Sequence, residues 1–97
     1  MSRVRSLLHE RREEIERVAA SYGARRVRVF GSVARGDDHS ESDIDLLVEF
    51  EPGRSLMDHA GLAMALEELL GRKVEVASER GLREKVRERV LNEASAL

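Results

Sequence analysis

Cysteine is absent from this 97-residue chain, which excludes disulfides, thiolate metal sites and cysteine nucleophiles, and nothing in it demands an oxidising compartment. Threonine, glutamine and tryptophan are missing too, Asn92 is the only asparagine, and arginine far outnumbers lysine. Thinning of amides is a trend of heat-adapted proteins, so the expected source is a GC-rich, thermophilic bacterium. An excess of charge of one sign is also lacking. Charged residues make up 37% of the chain, yet they nearly cancel to a formal net charge of −2. No overall basic field would draw in RNA or DNA, and general nucleic-acid binding is not expected. Long apolar runs are missing as well: after Met1-Ser2-Arg3-Val4-Arg5 only a short apolar pair precedes His9 and a charged run. That stretch reads as neither a signal peptide nor a membrane span, and the expected location is the cytoplasm. A chain this short sustains one core, and with no repeat, low-complexity stretch or long linker, residues 1–97 read as a single domain.

What is present is strongly patterned. From Val4 to Tyr22, apolar residues recur at helical spacing, and Gly23 stands where a helix would stop. Arg11, Arg12 and Arg17 lie on the other face, where acid–base pairs at helical spacing are expected. Val27-Arg28-Val29-Phe30 and the longer run Asp43 to Phe50, which ends at Pro52-Gly53, read as two strands. Ser55 followed by Asp58 has the form of a capping box opening a helix that runs from Leu56 through Leu70 to Gly71. Val74-Glu75-Val76 alternates as a third strand, and Leu82, Val86, Val90, Leu91 and Ala94 mark a last amphipathic helix. The expected fold is α/β: a small mixed β-sheet packed with helices, in the order α-β-(short α)-β-α-β-α.

Chemistry concentrates in Phe30-Gly31-Ser32-Val33-Ala34-Arg35-Gly36 and Ser42-Asp43-Ile44-Asp45-Leu46. A glycine and a serine directly after a strand present backbone N–H groups and a hydroxyl to a phosphate, Gly31 allowing close approach and Ser32 supplying a donor. Asp43 and Asp45, one residue apart on a strand, project from one face while Ile44 and Leu46 point into the buried one. Adjacent carboxylates repel unless a cation lies between them, and a divalent ion with oxygen ligands is the usual solution. Magnesium fits best, because one or two carboxylates and substrate phosphates suffice to hold it. Arg35, just past the turn, pairs either with a phosphate or with the acidic loop Asp37-Asp38-His39-Ser40-Glu41. His39 itself reads as a solvated loop residue.

Gly31-Ser32, Gly36 and Ser42-Asp43-Ile44-Asp45-Leu46 together resemble the signature of the DNA polymerase β-like nucleotidyltransferase superfamily. The short length and the wording Gly-Ser-Val-Ala-Arg-Gly-Asp resemble its minimal nucleotidyltransferase (MNT) branch, whose antitoxin-type members pair with HEPN-domain toxins. The resemblance implies that Gly31 and Ser32 contact a triphosphate, with Arg35 beside them as the further phosphate-binding candidate noted above, and that Asp43 and Asp45 hold Mg2+ or Mn2+. It also implies a third carboxylate on a later strand, where this chain departs from the usual aspartate and carries Glu75. The activity implied is transfer of a nucleoside monophosphate, AMP from ATP, to a hydroxyl of a HEPN partner that is thereby neutralised. The alternative is a catalytically weak or inactive nucleotide-binding antitoxin that acts by complex formation. A small-molecule transferase of the aminoglycoside type would need a further helical domain, which these residues do not contain. Leu8 and Met57 are candidate partner contacts; self-association, nucleobase and acceptor residue are left open.

Overall fold

The computed structural model describes residues 3–97; Met1 and Ser2, part of the stretch read as neither signal nor span, lie outside the described residues. The first amphipathic segment forms two helices, α1 (Arg3–Glu10) and α2 (Arg12–Ser21), instead of the one expected. The break falls at Arg11, whose backbone has φ −97° and ψ 10°. Residues 9–14 contribute no buried side chain, so nothing apolar holds that turn flat against the core, and the helix bends between the anchors Leu8 and Ile15. The solvated face carries the pairs Arg11–Glu14 at 3.3 Å and Arg12–Glu16 at 3.6 Å, each worth only about 0.2–0.5 kcal/mol. Leu8, expected to face a partner, is fully buried, because α1 turns its Val4–Leu8 edge into the core. Met57 is indeed exposed, along with Leu56 and Met64 on the same helix.

Strand β1 (Ala24–Phe30) is longer than its apolar run, and a register shift between Arg25 and Arg28 bulges it. Arg26 there has φ 53°, the one positive value outside glycine among the described residues. The short helix α3 (Gly31–Arg35), β2 (Ile44–Phe50), α4 (Leu56–Leu70), β3 (Val74–Ser78), a 3-10 turn (Glu79–Gly81), α5 (Glu84–Glu93) and β4 (Ser95–Ala96) follow. The four-stranded sheet has the order β3-β2-β1-β4, with β2 and β3 parallel and the other pairings antiparallel. The expected mixed α/β fold is observed, with β4 added. That strand is two residues long and exists only through its pairing with Arg28 and Val29.

Helix α4 opens as its sequence demands: Ser55 Oγ accepts the Met57 N–H at 3.2 Å and Asp58 accepts the Ser55 N–H at 3.0 Å. On its inner side Gly61 lies against the Tyr22 ring, where a Cβ would come within 2.6 Å of the ring. Ile44, Leu46 and Val48 of β2 enter the main core with Leu8, Ile15, Val29, Leu62 and Leu66. Truncating one of these to alanine should cost about 2–5 kcal/mol. The opposite face of the sheet carries Asp45, Leu47 and Glu49, and there Leu47 is also fully buried. No helix among the described residues is long and apolar enough to cross a membrane.

Candidate nucleotide site

Strand β1 runs extended to Phe30, and Gly31 then turns the chain into α3 with φ 72°. Two demands make this position a glycine. The left-handed backbone costs an L-residue about 1–2 kcal/mol, and an added Cβ would collide with the Asp45 carboxylate, lying 3.1 Å from its Cγ. Antiparallel register sets that contact by pairing Phe30 with Asp45. Parallel register on the other side of β2 pairs Asp45 with Glu75, so both side chains leave the same face. Asp43 stands one residue ahead of β2 rather than on it, yet its charge reaches Asp45.

Asp45 and Glu75 face each other across the β2–β3 register. Ionised carboxylates only accept and repel, so this proximity favours a proton on one of them. Partial burial, followed by interaction with Glu75 and the charge of Asp43, pushes the Asp45 carboxyl up to about 7; Arg35 opposes this. The crowding is what a divalent cation would relieve. Among the described residues no three ligating side chains converge as a ready-made cage. Magnesium and manganese do not need one, since they complete a few carboxylates with water and substrate oxygens, and this all-oxygen donor set fits them.

Arg35 is half exposed and engaged twice: Nε donates to Asp37 at 3.2 Å and Nη1 to Glu93 at 3.0 Å. Of its two expected partners it takes the acidic loop, together with a carboxylate from α5. The Gly31 N–H also donates to Glu93, at 3.3 Å. Sequence reasoning missed Glu93, because it closes a helix rich in arginine and glutamate that looks like any solvated helix. His39 is exposed and serves the loop, its Nδ1 accepting the Glu41 N–H at 3.2 Å and its own N–H donating to Ser42 at 2.8 Å. Arg72, also missed, clamps that loop from the α4–β3 turn by donating to the carbonyls of Ser42 at 2.7 Å and Ser40 at 3.2 Å. It thereby fixes the residue immediately before Asp43.

A strand, a glycine turn seated on an aspartate, and a neighbouring strand carrying a third carboxylate form the arrangement against which known proteins can be compared. Residues 11–97 match the family described as nucleotidyltransferase domain. The chain belongs to that family. A solved structure described as a minimal nucleotidyltransferase is 56% identical, superimposes with a TM-score of 0.86, and is matched over 96% of this chain and 95% of that one. Protein adenylyltransferase MntA of Thermococcus cleftensis is 33% identical over 93 residues, 96% of this chain and 91% of its own. A toxin–antitoxin crystal structure with AMP-PNP shares the fold at 21% identity and a TM-score of 0.75, over 86% of this chain and 68% of that one. This nucleotidyltransferase domain is therefore an enzyme of the nucleotidyl-transfer class with the minimal nucleotidyltransferase fold.

Proposed function

We propose that residues 1–97 act as one catalytic unit that moves AMP from ATP to a hydroxyl of a partner protein, a HEPN-type toxin that the modification silences. The observation that carries this reading is the seating of Gly31 on Asp45 with Glu75 in register beside it. It is supported by the name of the adenylyltransferase relative and by the neighbour solved as a toxin–antitoxin pair with AMP-PNP. Gly31, Ser32 and Arg35 hold the triphosphate and orient its α-phosphorus for in-line attack. Asp43, Asp45 and Glu75 would hold Mg2+ or Mn2+, which neutralises phosphate charge and makes the acceptor hydroxyl more acidic. The acceptor oxygen bonds to the α-phosphorus as the bond to the β-phosphate breaks. Pyrophosphate leaves, and Glu75, the exposed member of the carboxylate pair, receives the hydroxyl proton.

Intact-mass spectrometry of a HEPN partner incubated with ATP, magnesium and this protein tests the reading. The expected result is a mass gain of one AMP that disappears with Asp43→Asn. A second reading, neutralisation by complex formation alone, is favoured by Glu75 itself, which stands where the resemblance expects an aspartate and reaches one methylene further. A stable complex with no mass gain would decide for it.

A further inference from the structure

The anion that occupies the Gly31–Arg35 turn in this structure is the protein's own. Glu93, the last residue of α5, accepts the Gly31 N–H through Oε2 at 3.3 Å and the Arg35 guanidinium through Oε1 at 3.0 Å. Both oxygens of one carboxylate thus engage two groups assigned above to the triphosphate. The backbone beneath Glu93 is fixed. Ala94 closes the helix onto Val90 at 2.8 Å, Val90 and Leu97 are buried, and Ser95 and Ala96 pair with β1. Helix α5 cannot withdraw without unpairing β4, whereas the Glu93 side chain can leave by rotation between staggered rotamers.

We propose that Glu93 is a resident anion in the triphosphate seat, a side-chain gate that the incoming nucleotide displaces as Arg35 passes from carboxylate to phosphate. The inference rests on the reading of Gly31 and Arg35 as phosphate contacts. While the seat is closed, Glu93 and Asp37 hold the guanidinium, whose charge reaches Asp45, so that it does not collapse onto the carboxylates needed for the cation. Opening breaks one charge-assisted bond and one backbone bond, and phosphate replaces both. Left in place, the Glu93 carboxylate would repel the arriving polyphosphate, so apparent affinity falls by the fraction of molecules that are open.

Titration calorimetry of Mg-ATP and of magnesium tripolyphosphate, on wild type and Glu93→Gln, tests this. Glutamine keeps the shape and one acceptor oxygen but drops the charge. Glu93→Gln should bind both ligands about tenfold more tightly, while its melting temperature without ligand falls slightly. A purely structural Glu93 would lower both quantities together. In an Arg35→Ala background the gain should shrink without vanishing, because the Arg35 contact is lost while Glu93 still faces the Gly31 N–H. Glu93→Asp, too short to bridge both donors, should also tighten binding and serves if the glutamine variant does not fold. Equal or weaker Mg-ATP binding by the Glu93 variants, with wild type binding normally, would overturn the gate and leave the proposed function standing. Absence of Mg-ATP binding in wild type and variants alike would overturn both.

Discussion

Strand β2 carries a carboxylate at each end of one face, and the two ends have opposite electrostatics. At the far end Glu49 lies beside Glu79. That pair is ringed by arginines, Arg26 to Glu49 at 3.2 Å, Arg25 to Glu49 at 3.6 Å and Arg28 to Glu79 at 3.0 Å. Interaction with Glu79, with help from Arg26 and Arg25, holds the Glu49 carboxyl below its ordinary value. At the near end Asp45 lies beside Glu75, but Asp43 replaces the arginines, Arg35 is engaged by Glu93 and Asp37, and partial burial with the neighbouring acids drives Asp45 up to about 7. Strand and face are the same; burial, which is greater at Asp45, and the supply of positive charge differ. The far end is a finished ion cluster, and the near end is where we propose that a cation binds. Shape alone would mislead, since a cavity of about 590 Å³ opens at the far end, lined by Glu49, Glu79, Phe50 and His59.

Substitution at the two ends should separate them most. Asp45→Asn should lower AMP transfer by about a hundredfold or more if, as proposed, it removes a carboxylate that holds the cation against the reacting phosphate. Glu49→Gln should leave transfer within about threefold and instead lower the melting temperature, because its ion pairs are structural. Equal loss of transfer from both variants, followed by intact mass, would erase the distinction.

A pH titration of stability sharpens the contrast. The Asp45 carboxyl is raised from 3.8 to about 7, so over that interval the folded protein keeps a proton the unfolded chain has released. Its stabilising contribution is complete below about pH 4 and is lost as pH rises through about 7. Without divalent ions the protein should melt a few degrees lower at pH 8 than at pH 5, an effect moderated by the partial exposure of Asp45. Magnesium should raise the melting temperature more at pH 8 than at pH 5. A divalent effect independent of pH would separate the cation from the Asp45–Glu75 pair.

The smallest effect is expected from Arg72→Ala. Freeing the carbonyls of Ser40 and Ser42 should loosen the approach to Asp43 and weaken Mg-ATP binding by about threefold to tenfold, with β2 otherwise intact. Unchanged binding would mean that Asp43 is positioned by β2 alone.

How much of this was legible in the sequence depended on whether the cause was local. The Asp43–Phe50 alternation, the Ser55–Asp58 capping box and the glycine at position 31 act within a few residues, and their elements stand close to where they were expected. The start of β1 was hidden because Arg25 and Arg26 have no strand pattern; they are held by Glu49, more than twenty residues away. Strand β4 exists only through β1, and Leu8 looked exposable because a short amphipathic helix does not reveal which neighbour will cover it. At the site the glycine turn and the carboxylates were visible as motif, whereas Glu93 and Arg72 act across the fold from stretches that carry no motif.

The central claim is that the Asp45 end of β2 is a cation site completed by nucleotide. Calorimetric titration of ATP with magnesium and then with excess chelator tests it most directly. The account predicts saturable binding with magnesium that is lost with chelator and sharply reduced in Asp45→Asn. Equal ATP binding with and without chelator would contradict it.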